Sequence, residues 1–209
     1  MKYLKTLALA AVAAGALMAF IGAGTASASE VCSTAVSPCP FGQRWGVTPF
    51  IFSLKSGTSA LLKETGAEGG TLDTCKTSEV AGEITNSGSS TTTVTGKITK
   101  LTWGTCTFPT TTTVLGKLEV HNIAGTSNGT LTSDEVTKVT INTIFFGTCV
   151  YTVEAGKSIG DITGGGPSVL HANAVAKKQE GSAFACPETS VWSAEYVLTK
   201  PEGTEQFFV

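Results

Sequence analysis

Beyond an apolar opening run, hydrophobic residues alternate with threonine, serine, lysine and glycine at a period of two, and no helical period recurs. This pattern predicts strands separated by glycine-rich turns. The first covers residues 45–54, where Pro49 suggests a sheet edge. Ser56-Gly57 turns the chain into a second strand at 59–63, and residues 67–70 turn it into 72–76. Residues 80–85 then lead through a hairpin-type turn at 86–90 into a long strand at 92–108. Pro109 and Thr110 to Thr113 read as a link, and the glycine-rich stretch 156–166 as an exposed loop. Strand patterns resume from Ser168 to Ala176 and from Val191 to Leu198. Short strands at regular spacing indicate an all-β sandwich or flattened barrel.

The alternation slips twice within 92–108: Val94 and Ile98 share one parity, Leu101 and Trp103 take the other, and Cys106 and Phe108 revert. Each slip turns later side chains to the opposite face, so each requires a bulge or bend, and Gly104 suits the second. Sliding the chain by 43 positions lays Val80-Ala81-Gly82 on Ile123-Ala124-Gly125 and Ile98 on Ile141. It also lays Trp103 on Phe146 and Gly104-Thr105-Cys106 on Gly147-Thr148-Cys149. The slips recur in the second stretch, which predicts an internal duplication of 72–108 at 115–151.

Residues 1–28 carry Lys2 and Lys5, an apolar run and then Ala26-Ser27-Ala28, the layout of a secretory signal cleaved after Ala28. The run is short for a bilayer span, and Cys32 lies too far past the cut for lipid attachment. The expected mature chain, residues 29–209, is a single domain with an irregular arm at 29–46. Losing two lysines leaves 12 basic against 16 acidic residues, a net charge of −4 with no basic stripe, which argues against a nucleic-acid partner.

All six cysteines follow the cut, and an even number in an exported chain points to disulfides rather than to a metal site, which would need close Cys or His pairs. In the first repeat Cys75 and Cys106 stand near the two ends, whereas Leu118 replaces the first cysteine in the second repeat. The simplest pairing is Cys75 with Cys106, Cys149 with Cys186 and Cys32 with Cys39. Cys106 with Cys149 is the rival.

Catalytic signatures are sparse. Gly156-Lys157-Ser158 resembles the end of a phosphate loop, but Tyr151 occupies the position of its leading glycine. The imidazoles are His121 and His171, with Asp73, Asp134 and Asp161 available on paper and no nucleophile motif near any of them. Glu83, Glu119, Glu154 and Glu195 form no recognisable glycosidase pair. Trp45, Trp192 and Tyr196 are candidates for stacking against a ligand, whereas Trp103, matched by Phe146, is expected to pack internally. Asn128-Gly129-Thr130 is a formal glycosylation sequon. Phe207-Phe208-Val209 is similar to the last strand of an outer-membrane barrel, but six cysteines and strands of mixed parity favour a fold outside the bilayer.

The leader, Cys75 followed by Val80-Ala81-Gly82-Glu83-Ile84-Thr85, the two Gly-Thr-Cys strands and the closing Cys186-Pro187 and Trp192-Ser193-Ala194-Glu195-Tyr196 together resemble small secreted β-rich proteins of high-GC Gram-positive bacteria. That group has no assigned function. The resemblance implies a secreted β-sandwich and supplies no active-site residues. The expectation is a non-catalytic, cofactor-free module of the cell envelope or medium, serving display, adhesion or ligand binding, with no stable membrane insertion of the mature chain. Two alternatives are a secreted hydrolase using His121 or His171, and a subunit that self-assembles through its N-terminal arm or its Phe207-Phe208 strand.

Overall fold

The computed structural model describes residues 29–35, 39–65, 69–89, 91–199 and 208–209. The leader, and with it the expected cleavage site, lies outside these residues, as do Ala67, Glu68 and Phe207.

The threonine-, valine- and isoleucine-rich segments form twelve strands: β1 (Thr48–Leu54), β2 (Ala60–Glu64), β3 (Thr71–Ile84), β4 (Val94–Cys106), β5 (Thr110–Val114), β6 (Lys117–Asn122), β7 (Gly129–Ser133), β8 (Thr137–Thr143), β9 (Gly147–Val153), β10 (Ser158–Thr163), β11 (Val169–Lys178) and β12 (Thr189–Thr199). Every ladder is antiparallel. Strands β2, β3, β4, β6, β7, β10, β11 and β12 close into a ring of eight. Of the two forms expected from the sequence, sandwich or flattened barrel, the chain therefore takes the barrel.

The other four strands extend this ring lengthwise. β1 lies between β12 and β3, as β2 does, so β1 and β2 are one stave interrupted at Ser56-Gly57, where Gly57 has φ of 79°. β5 pairs with β8 as β6 pairs with β7, and β8 pairs with β9 as β7 pairs with β10. The chain thus runs as an up-and-down meander of eight staves, four of them broken at the waist, and closure leaves few free edges. Pro49 sits where β1 pairs with β3 alone, since the β12 ladder begins at Ile51.

The first parity slip has the expected cause. Ala81 pairs with Lys100 but Gly82 pairs with Ile98, so Thr99 is an extra residue that lets both Ile98 and Leu101 point inward. At the second slip the left-handed backbone falls on Thr105 (φ 50°), not on Gly104. A Cβ at Gly104 would meet the Thr77 hydroxyl across the ladder, so that side chain would have to turn aside.

Other expectations need correction. The stretch 156–166, read as a loop, contains β10, whose Ile159 and Ile162 are core residues, and the Pro109–Thr113 link contains β5. The predicted duplication does not extend to the fold. Val80-Ala81-Gly82 lies inside β3, whereas Ile123-Ala124-Gly125 occupies the turn between β6 and β7. Leu101 and Trp103 belong to one unbroken strand, whereas Ile144 and Phe146 lie in the β8–β9 turn, with Ile144 80% exposed. A bulge in one place and a reverse turn in the other produce the same parity signature.

The two ends of the barrel differ. At the end formed by the 85–93, 123–128 and 164–168 connections, the N-terminal arm plugs the opening. Ser29 and Val31 are fully buried, with the Ser29 hydroxyl accepting from Val94 N at 3.0 Å and donating to Val120 O. Trp45 N donates to Val31 O, Arg44 pairs with Glu30 at 2.8 Å, and Cys32 exchanges backbone hydrogen bonds with Phe208. Val209 packs into the same plug, its carbonyl held by Asn122. The disulfide Cys32–Cys39 ties this arm, Cys75–Cys106 joins β3 to β4, and Cys149–Cys186 joins β9 to the 179–188 loop at the opposite end. These are the three pairings expected from the sequence.

Candidate functional site

The barrel interior is where the sequence makes room. β11 alternates strictly, and its inward residues after Leu170 are Ala172, Ala174 and Ala176. Across the ladder they meet Ala194, Trp192 and Ser190 of β12. Ala174 fits against the large Trp192, whereas Ala176 faces the small Ser190 and leaves space at that end of the strand. An apolar chamber of about 60 Å³ remains between the waist and the end opposite the plug. Ala60, Leu62, Val80, Ile98, Leu101, Leu118, Leu131, Val139, Ile141, Tyr151, Ile159, Leu170 and Ala176 line it, with Trp103 and Trp192 among its walls. Eight-stranded barrels are just wide enough to be filled by side chains or to hold one small guest.

Asp73 is the carboxylate in this lining and is 3% exposed. It accepts from Thr74 N at 2.8 Å, from Phe108 N at 3.1 Å and from the Thr110 hydroxyl, so it pins the β4–β5 corner to β3. Trp103 Nε1 donates to Thr112 Oγ1 at 2.9 Å across the same corner. Asp73, Cys75 and Cys106 present atoms within 4.8 Å of one another, a spacing that could suit a metal ion. The two sulfurs are bonded to each other, however, and thiolates are what such a site requires.

The aromatic residues expected to form a stacking platform are divided by the fold. Trp45 is 4% exposed in the plug, and Tyr196 is fully buried with its hydroxyl 2.9 Å from Ser78 Oγ. Neither is a surface platform, because both point into the barrel or its stopper. Trp192 does line the chamber, joined there by Trp103, which meets it edge-on at 5.5 Å between ring centres. Tyr196 packs behind Trp192 at 5.9 Å. The sequence reading missed Ala60 and Ala176, although an alanine at an inward strand position is itself a signal of an inner face that is locally unfilled.

The tyrosines report on this interior. Burial pushes the Tyr196 hydroxyl well above its ordinary range, against a smaller opposing contribution from its hydrogen bond with Ser78. Burial, then the nearby Glu64 and Glu188, raises Tyr151 to about 12. The folded state therefore holds both neutral where an unfolded tyrosine, with a pKa of about 10, ionises. Stability is fully present below pH ~10 and falls by about 1.4 kcal/mol per pH unit for each tyrosine as pH rises toward the folded values. Tyr3 belongs to the leader, so these are the two tyrosines of the expected mature chain. Ultraviolet titration of that chain is expected to show no tyrosinate near pH 10, then both tyrosines ionising together with unfolding.

The histidines lie outside the barrel. His121 Nε2 is 3.0 Å from Thr132 Oγ1 and 3.5 Å from Glu119, and His171 Nδ1 is 3.5 Å from Glu195. The Lys55 ammonium, with His171 adding a smaller effect, holds Glu195 below the usual carboxylate range. Both imidazoles sit on the outward face, in one row that crosses Thr130, Asp161 and Glu195. The hydroxyl beside His121 is a threonine on an open wall. Neither imidazole faces the chamber.

No family model, characterised protein or solved structure matches the chain. Among the described residues no helix is long and apolar enough to cross a membrane.

Proposed function

We propose that the protein is an exported, non-catalytic barrel that binds a small apolar molecule in its chamber. The observation that carries this reading is the void itself: apolar, enclosed by the staves of a barrel whose far end is plugged by a disulfide-tied arm, and bordered by two partly buried indoles. An engineered cavity of about 150 Å³ with similar lining stays dry and takes benzene. The chamber is smaller, so a guest of that size enters only if Trp103 or Trp192 swings aside. Adhesion or display would not need an unfilled interior.

Export is supported by the three disulfides, which persist in oxidising compartments. The outward face carries Lys76, Glu79, Lys97, Lys100, His171 and Lys177, the opposite of the apolar band that a membrane-spanning barrel turns to lipid. Its mixed signs and modest net charge also give nucleic acid nothing to grip.

Benzene is expected to raise the unfolding temperature of the wild-type chain and to leave Ala176→Leu unmoved, since a guest that binds only the folded state stabilises it by mass action. Ala60→Val fills the chamber from another wall and guards against a variant that overpacks. Equal shifts in all three proteins, or none in the wild type, would remove this reading.

A further inference from the structure

The end of the barrel opposite the plug carries a cluster of exposed apolar side chains that the fold does not use. Ile144 and Phe145, in the β8–β9 turn, are 80% and 77% exposed, and Phe184, in the 179–188 loop, is 100% exposed. The two segments are fastened side by side: Ala183 N donates to Thr148 O at 2.8 Å, Ser182 Oγ bonds both Val150 N and Val150 O, and Cys149–Cys186 links them covalently. Lys178 Nζ further holds the loop through Phe184 O and Cys186 O. Phe145 meets Phe108 edge-on at 6.5 Å, which props the turn outward. These side chains are therefore held in water by a rigid frame.

We infer that this tip docks on a lipid bilayer, with Ile144, Phe145 and Phe184 entering its interfacial layer. Three arguments favour lipid over a protein partner. The apolar groups project almost fully exposed from a turn and a loop, which suits a deformable phase, whereas a rigid partner would need a matching hollow for each. Their restraint by a disulfide and five hydrogen bonds means that little conformational freedom is lost on insertion. The tip also crowns the end nearest the chamber, and an apolar guest partitions into lipid, so docking there shortens its path through water. This last argument rests on the proposed ligand binding; the first two do not. The charged wall below the tip, including Lys76, Lys138 and Lys177, limits insertion to the tip itself.

The test is co-sedimentation of the full mature chain with phosphatidylcholine vesicles. Wild type is expected to bind, and Ile144→Ser/Phe145→Ser/Phe184→Ser to bind at least about tenfold more weakly, from the lost burial of three large side chains. Phe41→Ser/Val47→Ser removes exposed apolar groups from the plug end and is expected to bind as wild type does. Anionic lipid is expected to add nothing, given the net charge of −4 that 12 basic and 16 acidic residues leave on the mature chain. Wild type that stays in solution, a triple variant that still sediments, or a dimer in lipid-free buffer that the triple variant abolishes would overturn the inference. Failure of benzene to bind, with vesicle binding intact, would remove the ligand reading and leave the docking tip standing.

Discussion

Replacing Cys149 and Cys186 together by alanine is expected to lower the unfolding free energy by about 4 kcal/mol, from the chain entropy of a cross-link spanning 37 residues. That is a large part of the 5–15 kcal/mol, roughly, that holds a typical domain. Both cysteines are almost fully buried, at 2% and 3% exposure, so the loss of packing adds to the entropic effect. The consequence goes beyond stability. The bridge holds the 179–188 loop against β9, where Pro187 O accepts from the Tyr151 hydroxyl at 3.2 Å. Urea titration of the variant is expected to show a lower midpoint, and hydrogen exchange to quicken first at Gln179, Ala183 and Cys186, whose amides bond Val150 O, Thr148 O and Ala183 O. An unchanged midpoint would mean that the covalent link adds nothing to the frame around the mouth.

The second large effect belongs to Asp73. Alanine there removes the acceptor for two backbone amides and for the Thr110 hydroxyl, which keeps Phe108 O as a second acceptor, at the corner where β4 passes into β5, and the loss is expected to cost about 3 kcal/mol. The Asp73→Asn variant keeps a carbonyl acceptor on a side chain of the same size and is expected to recover part of that loss. Asp73 stands two residues from Cys75, and its carboxylate and the Cys75–Cys106 bridge hold neighbouring parts of one corner. Their effects are therefore expected to be non-additive, and denaturation of Asp73→Ala, the Cys75/Cys106 double variant and their combination would measure the coupling. If Asp73→Ala unfolds at the same denaturant concentration as wild type, the carboxylate is not holding the corner.

Much of the architecture was legible because a strand announces its inner face at every second residue. The slip between Ile98 and Leu101 could be read as a bulge without coordinates, and Thr99 is that bulge. The disulfides followed because Leu118 broke the symmetry between two cysteine patterns. The same logic misled at Ile144: parity says that a side chain changes face, but not whether the chain bulges or reverses. In β4 the chain bulges, and between β8 and β9 it reverses, so the 43-residue offset matched composition and not topology.

Closure was out of reach for another reason. A meander of antiparallel strands has the same local pattern whether its first and last members meet or lie apart, and the meeting of β12 with β1 and β2 depends on accumulated twist. The interrupted staves hid β5 and β10, since five or six residues flanked by glycine and threonine look like a loop when each strand is judged alone. The stacking candidates were divided through the same blind spot: Trp192 and Tyr196 share the inward parity of β12 and Trp45 precedes β1, but only the closed ring shows that Trp45 belongs to the stopper, Trp192 to the chamber wall and Tyr196 to the packing behind it.

The central claim is that the barrel interior holds an apolar chamber, open to a small guest and closed to water, between the waist and the tip. Diffraction from crystals of the mature chain under xenon pressure tests it most directly, because xenon enters apolar voids and leaves filled or hydrated interiors alone. The account predicts one dominant xenon peak among Ala60, Ala176, Trp103 and Trp192, absent in Ala176→Leu. Ordered water bound there, or an interior closed by side chains with no xenon peak, would contradict it.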